Sequence, residues 1–317
     1  MVFPGQGSQV TGMGADVAAR YPASQACFDQ ASEVLGFDLL ASCSTATPET
    51  LRETRLSQPA IFTANVAIYR AVETLGMTPV VSAGHSFGEY CSLTIAGALA
   101  FDEAVRIVNE RGQAMGEAAD AAPGTMAAII GFDEARVDDI CARVRESSGG
   151  HVEIGNLNTP EQIVISGDIA AVTAACELAK AEGVKRVRVL NVSGAWHSSL
   201  MQSAALRFGA AVRTAELHMP SFTVVSNVTG APYASVEAMR ASLLASLCSR
   251  VRWHETALAV AAMGADAIVE CGASEVLAPM MKRLPALKET QVMHVADSGG
   301  VAKLEAAVLA RQAHLVD

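Results

Sequence analysis

The chain has 317 residues, 51% of them apolar and 18% charged, enough for one large domain and a smaller one at roughly 150 residues apiece. A formal charge of −10 argues against a general nucleic-acid binder, since phosphate binding needs a basic surface, and no apolar run approaches the roughly 18 residues of a membrane span. Seven cysteines with no C-x-x-C pair suit reduced thiols in a cytoplasmic protein better than a disulfide framework or a zinc site.

Residues 1–10 carry no basic segment followed by an apolar run, so no signal peptide is expected; a first strand is predicted from Val2. Residues 57–75 read as a helix with Ile61, Ile68, Val72 and Leu75 on one face, stopped by Gly76 and Pro79. A short apolar strand, Val80 to Ala83, precedes Gly84-His85-Ser86-Phe87-Gly88, after which helices are predicted from Glu89 to Leu99 and from Asp102 to Ala118. Strands alternating with helices imply a parallel sheet under helical cover. The rhythm then changes. A strand at Thr125–Ile130, a helix at Asp133–Arg145, strands at His151–Asn156 and Gln162–Ser166, a helix at Ile169–Glu182 and a strand at Arg186–Val192 make a βαββαβ unit, ferredoxin-like in order. The expected fold is therefore α/β, with a small domain, residues 123–193, inserted between the halves 1–122 and 194–317 of a larger one. Further strands are predicted at Phe222–Ser226 and Ala267–Glu270, with helices near 236–247 and 254–263.

Chemistry concentrates at Gly84-His85-Ser86-Phe87-Gly88. Between an apolar strand and a helix, a tight turn can push the Ser86 hydroxyl out of the sheet, and the helix N-terminus supplies N–H groups for an oxyanion. A serine needs a base. Of seven histidines, His197 follows a core strand through Ser193-Gly194-Ala195-Trp196, the kind of strand end where α/β proteins gather catalytic groups. An ordinary, partly buried histidine is the competing reading. Arg111 falls on the same helical face as Ala104, Val108 and Met115. A guanidinium in that stripe needs an anion, either a substrate or an internal carboxylate. Basic clusters at Lys185, Arg186 and Arg188, at Arg250 and Arg252, and at Lys282 and Arg283 are candidate partner contacts or simply solvated faces.

Phe3-Pro4-Gly5-Gln6-Gly7-Ser8-Gln9, Gly84 to Tyr90, Arg111-Gly112, residues 156–167, Gly194-Ala195-Trp196-His197-Ser198 and Val251-Arg252-Trp253 together resemble the ordered motifs of malonyl-CoA:acyl carrier protein transacylases, which polyketide synthase acyltransferases share. The resemblance implies an α/β-hydrolase-like domain with an inserted ferredoxin-like one. It implies Ser86 as nucleophile, His197 as base, Gln6 and the Phe87 N–H as oxyanion hole, Arg111 as the grip on the malonyl carboxylate, and Asn158 and Trp196 near the substrate. It further implies a backbone carbonyl at Ser246 that orients the histidine, although the family usually has glutamine there and proline at the place of Arg250. Cys271-Gly272-Ala273 stands where Gly-Pro-Gly is commoner, and Trp196 where serine or phenylalanine is usual; a ring there would narrow the pocket against α-branched donors. The implied partners are malonyl-CoA and an acyl carrier protein, with no nucleic acid or membrane. A monomer is expected, with no metal and no bound cofactor; coenzyme A enters as substrate thioester. A discrete polyketide acyltransferase, an editing acyl hydrolase, a general serine esterase and a non-catalytic carrier-binding module remain alternatives, and the pathway served stays open.

Overall fold

The structure, a computed structural model, describes residues 1–314. Strand β1 (Val2–Phe3) leads into helices α1 (Ala15–Arg20), α2 (Pro22–Leu35) and α3 (Leu39–Thr45), none of them among the elements predicted above, although α2 buries Ser24, Cys27, Phe28 and Ala31 at helical spacing. Their end signals were nonetheless in the sequence: Pro22 opens α2, Gly36 closes it at φ 78°, and the Asp38 carboxylate caps α3 by accepting from the Ala41 N–H at 2.8 Å. Helix α4 (Thr54–Glu73) begins three residues before the expected start.

Strand β2 (Val81–Gly84), helix α5 (Gly88–Ile95) and helix α6 (Phe101–Ala121) follow. Helix α5 ends four residues before the expected Leu99, because the chain turns at Gly97 with φ 71°, a conformation that glycine adopts without a Cβ clash. Next come β3 (Gly124–Ile130), α7 (Glu134–Ser148), β4 (Val152–Thr159), β5 (Gln162–Asp168), α8 (Ile169–Ala181) and β6 (Arg186–Val189). Strand β6 stops three residues short of the expected Val192. The chain continues through α9 (Gln202–Thr214), β7 (Thr223–Val225), α10 (Val236–Ala245), α11 (Trp253–Ala262), β8 (Ala267–Cys271), α12 (Ala278–Met281), β9 (Gln291–Val295) and α13 (Ser298–His314).

Five strands form a parallel sheet in the order β7-β2-β1-β8-β9. Its residues alternate between two apolar layers. Phe3, Val224, Val269 and Val295 join the core beneath α2, α4 and α6, while Val2, Val81, Ala83, Val225 and Ile268 face α11 and α12. Apolar on both faces, such strands are stable only with helices on each side. Four strands form a second, antiparallel sheet in the order β4-β5-β3-β6. Ala127, Ile129, Ile163 and Ile165 pack beneath α7 and α8, whereas Met126, Ala128 and Val164 turn to the main core beside Trp196. This mixed α/β architecture brings the two sheets together where β4 meets the segment before α11: the Val251 N–H donates to the Gly155 carbonyl and the Leu157 N–H to the Val251 carbonyl, both at 2.8 Å.

Candidate active site

Ser86 stands in the turn between β2 and α5 with φ 54°, a left-handed conformation that costs a non-glycine residue of order 1 kcal/mol or more. Glycine on either side makes the turn sterically possible. A Cβ on Gly84 would lie 1.9 Å from the Gly88 carbonyl carbon, and one on Gly88 would lie 2.4 Å from the Phe3 carbonyl oxygen. The G-x-S-x-G spacing is thus a consequence of strand, turn and helix passing within backbone contact.

The Ser86 hydroxyl lies 2.8 Å from His197 Nε2. On the far side of the ring, Nδ1 is 3.0 Å from the Ser246 carbonyl and 3.2 Å from that of Ser249. Carbonyls only accept, so Nδ1 carries the proton and Nε2 presents a lone pair to the serine. The Ser246 carbonyl, a backbone group that does not depend on the side chain at that position, thus lies within hydrogen-bond reach of the ring. The Ser249 carbonyl is a second acceptor that sequence reasoning missed. Burial, then the nearby charge of Arg111, push the His197 pKa down to about 3, so the imidazole is neutral at physiological pH. His197 itself has φ 60°, so both members of the pair are held in left-handed backbone.

Arg111 is buried on α6, 1% exposed. No acidic side chain bonds it among the described residues. Nη1 donates to Gln58 Oε1 at 2.9 Å and to Met115 Sδ at 3.0 Å, Nη2 donates to the Ser86 hydroxyl at 3.3 Å, and Nε has no partner among the described residues. The internal carboxylate of the competing reading is absent from this contact shell. Burial lowers the Arg111 pKa to about 10, and the group stays charged at neutral pH. A desolvated guanidinium with an unused N–H beside a serine hydroxyl is a receptor for an anion. Gln58, on α4, was not singled out from the sequence; its Nε2 donates to Thr54 Oγ1 at 3.0 Å, and that hydroxyl donates to Gln6 Oε1 at 3.2 Å. A polar chain thus joins Arg111 to Gln6 along one face of α4.

The segment bearing Gln6 presses on the turn, since a Cβ on Gly5 would lie 2.6 Å from the His85 carbonyl oxygen. The backbone N–H groups of Gln6 and Phe87 have no acceptor among the described residues. Asn158 Oδ1 accepts from His85 Nε2 at 2.9 Å, which aims His85 away from the Ser86 hydroxyl. The Trp196 ring lies across Gly194, where a Cβ would come within 2.5 Å of it, and its Nε1 has no partner. Two of the three basic clusters are largely neutralised: Arg250 pairs with Glu134 at 2.6 Å, Arg252 with Glu255 and Lys282 with Glu275. Lys185, Arg186 and Arg188, exposed at and beside edge strand β6, have no ion pair among the described residues.

A family profile described as acyl transferase domain matches residues 1–307. The chain is 40% identical over 284 residues to the malonyl CoA-acyl carrier protein transacylase of Escherichia coli K12, covering 89% of this chain and 91% of that protein. Among solved structures it is similar to the transacylase of the same name from Coxiella burnetii, at 38% identity and a TM-score of 0.91 over 96% of this chain and 95% of that one. It is also similar to a malonyl-transacylase solved in complex with a type II polyketide acyl carrier protein, at 39% identity and a TM-score of 0.90, covering 95% and 97%.

Proposed function

The chain belongs to the acyl transferase family, and on that premise we propose that it moves a malonyl group from malonyl-CoA to the phosphopantetheine thiol of an acyl carrier protein through a malonyl-serine on Ser86. The observation that carries the reading is the double engagement of the Ser86 hydroxyl, 2.8 Å from the His197 lone pair and 3.3 Å from a buried guanidinium with an unused N–H. The architecture supports the reading. We take residues 1–122 and 194–317, with the parallel sheet, as an α/β-hydrolase-like catalytic domain, and residues 123–193 as a ferredoxin-like insertion whose strands run second, third, first, fourth across the sheet.

In the first half-reaction Ser86 Oγ attacks the thioester carbonyl carbon while its proton passes to His197 Nε2. The oxyanion that forms is received by the Phe87 and Gln6 N–H groups, which have no protein acceptor to release first. Collapse breaks the carbon–sulfur bond, and Nε2–H returns the proton to the departing coenzyme A thiolate. The carrier thiol repeats the sequence in reverse: it loses its proton to Nε2, attacks the malonyl-serine, and Ser86 leaves as the alcohol. Throughout, Nδ1–H donates to the Ser246 and Ser249 carbonyls, which stabilise imidazolium through dipoles where a triad would use a carboxylate. Arg111 binds the malonyl carboxylate and so orients the acyl carbon at Ser86. That carboxylate also offsets the guanidinium charge that depresses His197, so the correct acyl group makes the base more basic when it is needed. Asn158, through His85, and Trp196 shape the surrounding pocket.

Mass spectrometry after incubation with malonyl-CoA tests the reading. A malonyl adduct on Ser86 that persists until a carrier thiol is added is expected; rapid release of free malonate would instead mark an editing hydrolase, and absence of any adduct would sink the proposal.

A further inference from the structure

The strained backbone of Ser86 is held by a side chain from the turn after a neighbouring strand. Asn227, two residues beyond the end of β7, grips both polar groups of the one residue: its Oδ1 accepts from the Ser86 N–H at 3.1 Å, and its Nδ2 donates to the Ser86 carbonyl at 2.8 Å. An amide can do this in one orientation only, because a 180° flip would set donor against donor and acceptor against acceptor. The orientation is chosen by Glu89, 1% exposed in the first turn of α5. Its Oε2 accepts from Asn227 Nδ2 at 3.1 Å, and its Oε1 accepts from the Asn227 N–H at 2.9 Å and from the Tyr233 hydroxyl at 2.5 Å. Every bond to this carboxylate comes from a donor, yet none comes from a cation. Burial pushes the Glu89 pKa up, and the charge of Arg111 offsets this only in part, without a direct bond; a buried carboxylate held by neutral donors is costly, and its position has no use in the proton transfers described above.

We propose that Asn227 is a positioning residue for the acyl transfer, a clamp that keeps Ser86 in its left-handed conformation, and that Glu89, braced by Tyr233, sets the orientation of that clamp. By occupying the Ser86 N–H it also leaves the Phe87 N–H as the donor that the turn offers to an oxyanion. Without the clamp, Ser86 can relax toward ordinary backbone, which swings Oγ from Nε2 and turns the Phe87 N–H. The role rests on Ser86 being the acylated residue, and the test separates the two claims.

The rate of Ser86 labelling is measured by rapid quench with malonyl-CoA, and separately with a fluorophosphonate that reacts with any activated serine. Asn227→Ala should slow both by about 100-fold, the scale of a displacement near 1 Å, with the KM for malonyl-CoA little changed. Tyr233→Phe removes one donor to Glu89 and keeps the packing, and should slow labelling by roughly 3- to 10-fold. Folded Asn227→Ala protein that labels at the wild-type rate, or whose KM rises while the acylation rate holds, would overturn the proposal. If that variant does not fold, Glu89→Gln decides: it keeps shape but sets an NH2 group against Asn227 Nδ2 or loses an acceptor, so slowed labelling supports the clamp and wild-type labelling refutes it. A wild-type chain labelled by the fluorophosphonate but never by malonyl-CoA would remove the functional reading while the fluorophosphonate rates still judged the clamp.

Discussion

At the scale of single residues the site is one hydroxyl, Ser86, shared by His197 and Arg111. Ser86→Ala removes the hydroxyl we propose is acylated and should abolish the adduct. His197→Ala should slow its formation by roughly 100- to 10,000-fold, the worth of a positioned base; normal labelling of the Ser86→Ala protein would end the assignment. Arg111→Ala should cost malonyl transfer about 2–5 kcal/mol, or roughly 30- to several-thousand-fold in kcat/KM, while acetyl transfer holds or rises. The malonyl-to-acetyl ratio checks this. The pH dependence follows from the same contact. His197 must be neutral to accept the Ser86 proton, so activity is lost as pH falls through its pKa. With that pKa pushed down to about 3, kcat/KM with acetyl-CoA should stay flat from neutrality to at least about pH 5. In Arg111→Ala the second cause of the depression is gone, and the acidic limb should move to higher pH; a limb that stays put would show that the charge of Arg111 does not reach His197. The Trp196 ring is buried over Gly194, so Trp196→Ser should cost about 3–5 kcal/mol in stability. If the ring also narrows the acyl pocket, the methylmalonyl-to-malonyl ratio should rise by about 1–3 kcal/mol of discrimination; an unchanged ratio assigns Trp196 to packing alone.

At the scale of elements, close approach does the positioning. Helices α4 and α6 meet at Gly112, where a Cβ would lie 2.8 Å from the Thr54 carbonyl oxygen. That approach lets Gln58 on α4 reach Arg111 on α6. Gly112→Ala would force the helices apart, so it should destabilise the protein by about 1–3 kcal/mol and lower the malonyl-to-acetyl ratio without any change in the guanidinium itself. Measuring the ratio on folded protein checks this; a melting-temperature loss with an unchanged ratio would show that Arg111 finds its place independently of α4. Strand β6 carries a different constraint. It is the edge of the antiparallel sheet, and its outward arginines, Arg186 and Arg188, are the kind of charges that discourage edge-to-edge pairing with another chain.

At the scale of the molecule, the site depends on both sheets. Ser86 comes from the parallel sheet, and the loop that orients His197 is docked on the antiparallel one through the Val251 and Leu157 bonds at β4. Arg250, where the family usually has proline, adds an ion pair to Glu134 on α7, a surface contact worth about 0–1 kcal/mol. The backbone bonds matter more. Val251→Pro deletes the N–H that reaches Gly155, and should cost about 1–3 kcal/mol while the circular-dichroism spectrum of both sheets persists. Its larger effect should be on acylation, because the Ser246 and Ser249 carbonyls lose their fixed place beside His197. Acylation at the wild-type rate would mean that the docking is dispensable.

By itself the sequence determined the strand–turn–helix around Ser86, the order of the elements from residue 124 to residue 189, and the placement of Arg111 on an apolar helical face. Each is written in local signals: glycine spacing, period-2 and period-3.6 apolar patterns, one charge within a stripe. Helices α1 and α3 are only six and seven residues long and carry no stripe to read, and the stripe of α2 is built from small and polar residues around Cys27 and Phe28, though Pro22, Gly36 and Asp38 mark the ends of α2 and the start of α3. Local patterns left His197 one candidate among seven histidines, and the motif resemblance singled it out; the tertiary structure decided that Ser249 adds a second carbonyl to its Nδ1, that no carboxylate among the described residues bonds Arg111, and that Asn227, Glu89 and Tyr233 surround the turn. Those contacts join residues far apart in the chain, Ser86 with His197 and with Asn227 by more than 100 positions and His197 with Ser246 by 49. Nothing in the local pattern at either end specifies such a distant partner, because the meeting is made by the packing of two sheets and not by the propensity of any one segment.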